Sequence, residues 1–122
     1  MLVAKLHYHR LSKQLDVHFD NQLVTTFSAE FLRVHSPSAE VQGHGNAILV
    51  TNKKEVAIST IEHVGHYAAR IIFDDGHNTG LYSWDYLAYL AEHQDKLWQD
   101  YLVTLKQKKA SREALIPIKL TH

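Results

Sequence analysis

Ten of the 122 residues are histidine and none is cysteine. Imidazole can move protons near neutral pH or hold a transition metal, so the histidine clusters are the first candidates for chemistry. His93-Gln94-Asp95 has the His-x-Asp spacing of half a 2-His-1-carboxylate iron site. His7 and His9 share one face of an expected strand, and His63 and His66 flank Gly65. Ser83, His77 and either Asp74 or Asp75 are the residue types of a hydrolytic triad. Each group has a plainer reading. His93 and Asp95 fall in a helical pattern with only His122 after them, which makes a solvated helix face. A pair of imidazoles is too few for a metal ligand set, so both pairs read as polar strand edges. Ser83 stands where a helix needs a cap, which would engage its oxygen with a backbone amide, and no nucleophile elbow surrounds it. With no catalytic constellation assembled, the chain is expected not to be an enzyme.

Among charged residues, Arg33, Asp74 and Asp75 carry the most interest. Arg33 leaves an expected helix, where it can clamp an acidic turn bidentately; a structural ion pair is the simpler reading. Trp84 and Tyr86 would form a protein-binding patch if exposed, while their spacing fits core packing. Lys106, Lys108, Lys109 and Arg112 read as a solvated helix end.

The elements that must position these residues come as a duplication. Leu15 to Arg33 and Tyr67 to Leu90 share one pattern: Phe19-Asp20 answers to Phe73-Asp74, and Phe27 to Leu32 answers to Tyr82 to Leu87. Leu15, Val17 and Phe19 alternate with polar residues, as a half-buried strand requires. Asp20-Asn21-Gln22 supplies turn chemistry, and pairing across it sets Phe19 against Leu23, Val17 against Thr25 and Leu15 against Phe27. Ser28 is a helix cap with Glu30 in the first turn, and Pro37 closes that helix. In the second copy Asp74-Asp75-Gly76 is the turn, setting Ile71 against Thr79 and Ala69 against Leu81. The extra residue of this copy is expected as a bulge at Gly80, and Ser83 as the next cap. Val3 to Tyr8 is a first strand. Ala47 to Thr51 and Val56 to Ile61 read as strands about Asn52–Glu55, with a kink or bulge at Val64-Gly65. From Trp84 on, Leu87, Leu90, Ala91, Leu97, Trp98, Tyr101, Leu102 and Leu105 recur at helical spacing, with a lapse near His93-Gln94. The expected fold is α+β: a small antiparallel sheet built from two hairpin–helix repeats, flanked by helices, with a long C-terminal amphipathic helix. Residues 1–92 form the domain, 93–113 its helical extension and 114–122 a tail.

Thirteen basic and thirteen acidic residues cancel, which gives no pull toward nucleic acid or anionic membrane. Absent cysteine excludes disulfides and thiolate chemistry. No apolar run reaches the roughly 18 residues of a spanning helix, and the first ten residues lack a signal-peptide pattern, so the expected compartment is the cytoplasm.

With those residues in place, LRVHSPSAE (Leu32–Glu40) followed by VGHYAARIIFDDGHNTGLYSWDYL (Val64–Leu87) resembles the gamma-butyrobetaine-hydroxylase-like N-terminal domain, also called DUF971, over roughly Leu2 to Leu90. The resemblance implies a small α+β domain with an antiparallel sheet. Members of that family precede the catalytic barrel of carnitine-pathway dioxygenases, are joined to a plastid iron–sulfur cluster carrier, or stand alone in bacteria; this chain is expected to be of the stand-alone kind. The dioxygenase members hold a structural zinc through three cysteines and a histidine. The cysteine positions fall here on Ser36, Ser38 and Val41, and the histidine is kept as His77. One imidazole does not replace three thiolates, so the zinc is expected to be absent, or replaced by a weaker Zn or Fe site in which His35 or His44 joins His77. The function these observations imply is a non-catalytic accessory or adaptor domain acting through protein–protein contact. The alternative is a metal-binding protein linked to iron–sulfur or dioxygenase systems.

Overall fold

Two turns of the same chemistry organise the chain. The computed structural model describes residues 1–38 and 48–115. Strand β2 (Gln14–Phe19) runs through Asp20–Gln22 into β3 (Val24–Ser28), and β5 (Ala68–Phe73) runs through Asp74–Gly76 toward β6 (Gly80–Ser83). The Phe19 amide donates to the Leu23 carbonyl at 2.9 Å, and Phe73 to His77 at 3.0 Å. In each turn the third residue has positive φ, 72° at Gln22 and 90° at Gly76; glycine takes this conformation without the steric cost that a side chain brings. In each turn the middle side chain, Asn21 or Asp75, accepts from the amide two residues on. Each hairpin then ends in a capping serine. Ser28 Oγ accepts from the Phe31 amide to start α1 (Ala29–Val34), and Ser83 Oγ from the Tyr86 amide to start α2 (Trp84–Gln107), both at 3.0 Å.

The repeat is larger than the hairpin and helix read from sequence. β1 (Val3–His9) joins the edge of the first hairpin and β4 (Ile58–Val64) the edge of the second, giving two antiparallel sheets ordered β1-β2-β3 and β4-β5-β6. Val3 pairs with Phe19 and Ile58 with Phe73, and both ladders slip at the same place, between Val3 and Lys5 and between Ile58 and Thr60. A shared irregularity at equivalent positions makes β-β-β-α the repeated unit.

Several expectations are corrected. No strand occupies 48–57; Ala47 lies outside the described residues. The Asn52 and Lys54 amides instead donate to the Ser111 and Arg112 carbonyls, and Asn52 takes a φ of 62°, so this stretch binds the segment after α2 rather than a sheet. β4 starts at Ile58 and ends at Val64, and the break expected at Val64-Gly65 before the central strand is the turn that joins β4 to β5, with Gly65 at φ 57°. The first hairpin pairs as expected, Val17 with Thr25 and Leu15 with Phe27. In the second, Ile71 pairs with Gly80 and Ala69 with Tyr82. The extra residue is therefore taken up at Asn78–Thr79, ahead of Gly80, because the ladder is set from the capped end. Helix α2 runs unbroken past His93-Gln94.

The apolar faces of both sheets meet in one core. Leu15, Val17, Phe27, Ile71, Tyr82, Leu87 and Leu90 are fully buried there, with Phe31 and Leu32 of α1 beside them; each large apolar side chain so buried contributes about 1.5–3 kcal/mol. The far half of α2 packs on its own chain: Tyr101 and Leu105 meet Val34, Leu49 and Val50 in a second cluster. After the helix, Arg112 returns to grip Glu30 of α1 through two bonds of 2.8 and 2.7 Å. The basic end of the chain thus splits, with Arg112 used in packing. No helix among the described residues is long and apolar enough to cross a membrane.

Candidate functional site

The turn of the second hairpin and the end of α1 build a polar corner. Asp75 is held from three sides: its Oδ1 accepts from the His77 amide at 3.1 Å, and its Oδ2 meets Arg33 Nε at 2.8 Å and Lys53 Nζ at 2.7 Å. Burial opposes its charge, but the Lys53, His77 amide and Arg33 contacts win and hold its pKa at about 2. Asp74, the other acidic residue, accepts instead from the Ala57 amide. Arg33 bonds through Nε alone, and its Nη1 is buried with no hydrogen-bond partner among the described residues. The expected Arg33 clamp therefore falls on Asp75 and is single. Lys53 carries no local sequence signal that points to it.

His77 is buried beside that turn. Its Nε2 lies 2.8 Å from Ser36 Oγ and 3.4 Å from Ser38 Oγ, and the Ser38 amide donates to Ser36 Oγ at 3.4 Å. The two serines expected, from the family resemblance, at cysteine positions thus stand around the histidine expected as the fourth ligand. Among the described residues the donors do not fit zinc: two neutral hydroxyls and one imidazole engaged with a hydroxyl cannot match a thiolate-rich tetrahedral set. His35 faces elsewhere. Its Nδ1 donates to the Phe31 carbonyl at 2.8 Å, its ring packs against Phe31 and Tyr101, and burial pushes its pKa down. His44 and Val41 lie outside the described residues.

The aromatic candidates are packed. Trp84 is buried and its Nε1 donates to the His66 carbonyl at 2.7 Å. Tyr86 is half-buried, donates to the His35 carbonyl at 2.6 Å and has its pKa pushed by burial to about 12. Tyr82 donates to the Leu32 carbonyl, and burial raises its pKa. Ser83 serves as a cap, and His93 lies on α2 against Tyr89.

Two further places stand out. On the outer face of the first sheet, donor atoms of His7, His9 and Asp16 all lie within 4.8 Å of one another, the one such His/Asp/Glu trio among the described residues. The sequence marks the His7–His9 pair but not Asp16, which joins it through strand pairing; a short connector at Arg10–Lys13 is the signal that brings β2 back alongside. Between the first hairpin and the start of α2 lies an open groove of about 540 Å³, lined by Phe19, Leu23, Thr25, Ala88, Tyr89 and Glu92 among others.

Residues 6–88 match the model of a family described as gamma-butyrobetaine hydroxylase-like, N-terminal. Two proteins solved by NMR are similar along nearly the whole chain. One is 53% identical with a TM-score of 0.81, covering 99% of this chain and 92% of its own; the other is 43% identical with a TM-score of 0.82, covering 99% and 98%. A crystal structure of a DUF971-family protein of unknown function from Acidithiobacillus ferrooxidans is 31% identical with a TM-score of 0.64, covering 74% of this chain and 92% of that one. No curated protein matches.

Proposed function

The chain belongs to the gamma-butyrobetaine hydroxylase-like N-terminal family, and from that membership we propose that it is a non-catalytic accessory module that works by contact with another protein. The observation that carries this reading is a difference between the two repeats. Leu23 and His77 are equivalent by backbone bonding, yet Leu23 is 61% exposed and His77 only 7%. The helix of the first repeat, α1, ends at Val34, and Ser36 and Ser38 beyond it close over His77 of the second. The helix of the second repeat, α2, instead runs straight on to Gln107, so no such turn of the described chain closes over Leu23 of the first.

The result is the open groove, with Leu23 and Tyr89 both about half-exposed or more. An apolar surface rimmed by polar residues is the usual form of a protein contact. Asp85 and Glu92 line the same groove. The occupant it fits is a partner segment that presents an apolar side chain next to a lysine or arginine. The groups with displaced pKa values support a non-catalytic reading, since Asp75, Tyr82, Tyr86 and Tyr101 each hold a structural partner.

The test is quantitative affinity recovery from native cells with the wild-type chain and a Leu23→Glu variant. Position 23 is exposed, so the fold should tolerate the change. A partner recovered by wild type and lost with Leu23→Glu is expected. Recovery of no partner, or of partners indifferent to Leu23→Glu, refutes the reading.

A further inference from the structure

His7 and His9 leave β1 on the face from which Asp16 leaves β2, and the register sets Asp16 directly opposite His7. From this geometry we infer that the outer face of the first sheet is a binding site for a divalent transition ion of the zinc class, with His7, His9 and Asp16 as its protein ligands.

The three donor atoms lie within 4.8 Å of one another. An ion about 2.0–2.2 Å from each ligand in a tetrahedral set needs donors about 3.4 Å apart, so the wider separations must close by up to about 1.4 Å, a distance within reach of side-chain rotation. His9 Nε2 and Asp16 Oδ2 are 2.7 Å apart and share a hydrogen bond. The ion takes the place of the shared proton, and these two donors separate to admit it. Thr26 Oγ1, on β3, donates to Asp16 Oδ1 at 2.7 Å. That bond fixes the carboxylate and leaves Oδ2 turned toward the histidines, as outer partners of metal ligands commonly do. An aspartate is anionic at neutral pH, so the carboxylate brings the negative charge that a cation favours. Two imidazoles with one carboxylate select zinc, cobalt, nickel or copper over magnesium and calcium, which prefer all-oxygen sets. All three ligands reach the ion from the sheet side, so its far side stays open to water.

The second repeat supplies an internal comparison. At the positions of His7 and Asp16 it has Glu62 and Arg70, paired across the strands at 3.4 Å, and at the position of His9 it has Val64. A simple cross-strand pair is therefore enough to build this sheet. The third donor, and the threonine behind it, go beyond what the sheet needs.

The experiment is a calorimetric titration of the untagged chain with zinc chloride, with amide NMR shifts followed in parallel. One equivalent should bind in the micromolar range, with shifts centred on residues 7, 9 and 16. His9→Ala and Asp16→Asn should each weaken binding at least tenfold, and Thr26→Val by about tenfold. His66→Ala and His93→Ala should leave it unchanged. The NMR arm uses the native chain and needs no variant to fold. Absence of saturable binding, shifts centred elsewhere, or binding intact in His9→Ala and Asp16→Asn would each overturn the site and show His9–Asp16 to be a surface ion pair only.

Discussion

Ser36 packs directly against Gly80: a Cβ built on Gly80 would stand 2.8 Å from Ser36 Oγ. The same Cβ would stand 2.9 Å from Cε1 of Tyr82, which is fully buried. Ser36 is tied to His77, so neither neighbour has free space to move into. Gly80→Ala should cost about 1–3 kcal/mol, the usual range for overpacking, read as a lower urea midpoint. A midpoint equal to wild type would mean that the loop after α1 does not press on β6.

Asp75 should make stability acid-sensitive. Its folded pKa of about 2 lies below the unfolded value of about 3.9. The sign follows: its contribution is complete above about pH 4 and is lost as pH falls through 4 toward 2. Discounted for the solvent that reaches Lys53 and Arg33, the effect is about 1–2 kcal/mol. Asp75→Asn should therefore be less stable than wild type at pH 7, with the gap closing near pH 2. Urea midpoints of both proteins across that range check it, and a gap that does not change with pH would contradict the assignment.

The two serine caps should be of similar worth. Ser28→Ala and Ser83→Ala each remove one acceptor from a helix start, and each should lower stability by about 1 kcal/mol. Equilibrium denaturation of the two variants measures this. A loss at one cap and none at the other would show that the repeats are equivalent in backbone but not in energetics.

Glu30 is only 5% exposed and has Arg112 as its two-bond partner, with the guanidinium also 5.0 Å above the Trp98 ring. Arg112→Ala strands a buried carboxylate and should cost about 2–4 kcal/mol. Adding Glu30→Gln removes the stranded charge and should recover part of the loss. Urea melts of the single and double variants decide it; a double variant no better than Arg112→Ala would place the loss in packing against Trp98 instead.

Local chemistry was legible in the sequence. Alternation in Leu15–Phe19, the Asp20 and Asp74 turns, the Ser28 and Ser83 caps and the stripe from Leu87 to Leu105 all depend on residues within one or two turns of each other. Those short-range steric and hydrogen-bonding preferences act before any tertiary contact forms. The duplication, the family and the α+β class follow from them. What depends on position across the molecule was not legible. The register that sets Asp16 against His7, the slip shared by β1 and β4, the approach of Lys53 to Asp75 and the return of Arg112 to Glu30 come from packing two repeats and a terminal segment around one core. The same holds for the different fates of Leu23 and His77: their turns are alike, and only the course of the chain after each helix leaves one in water and buries the other.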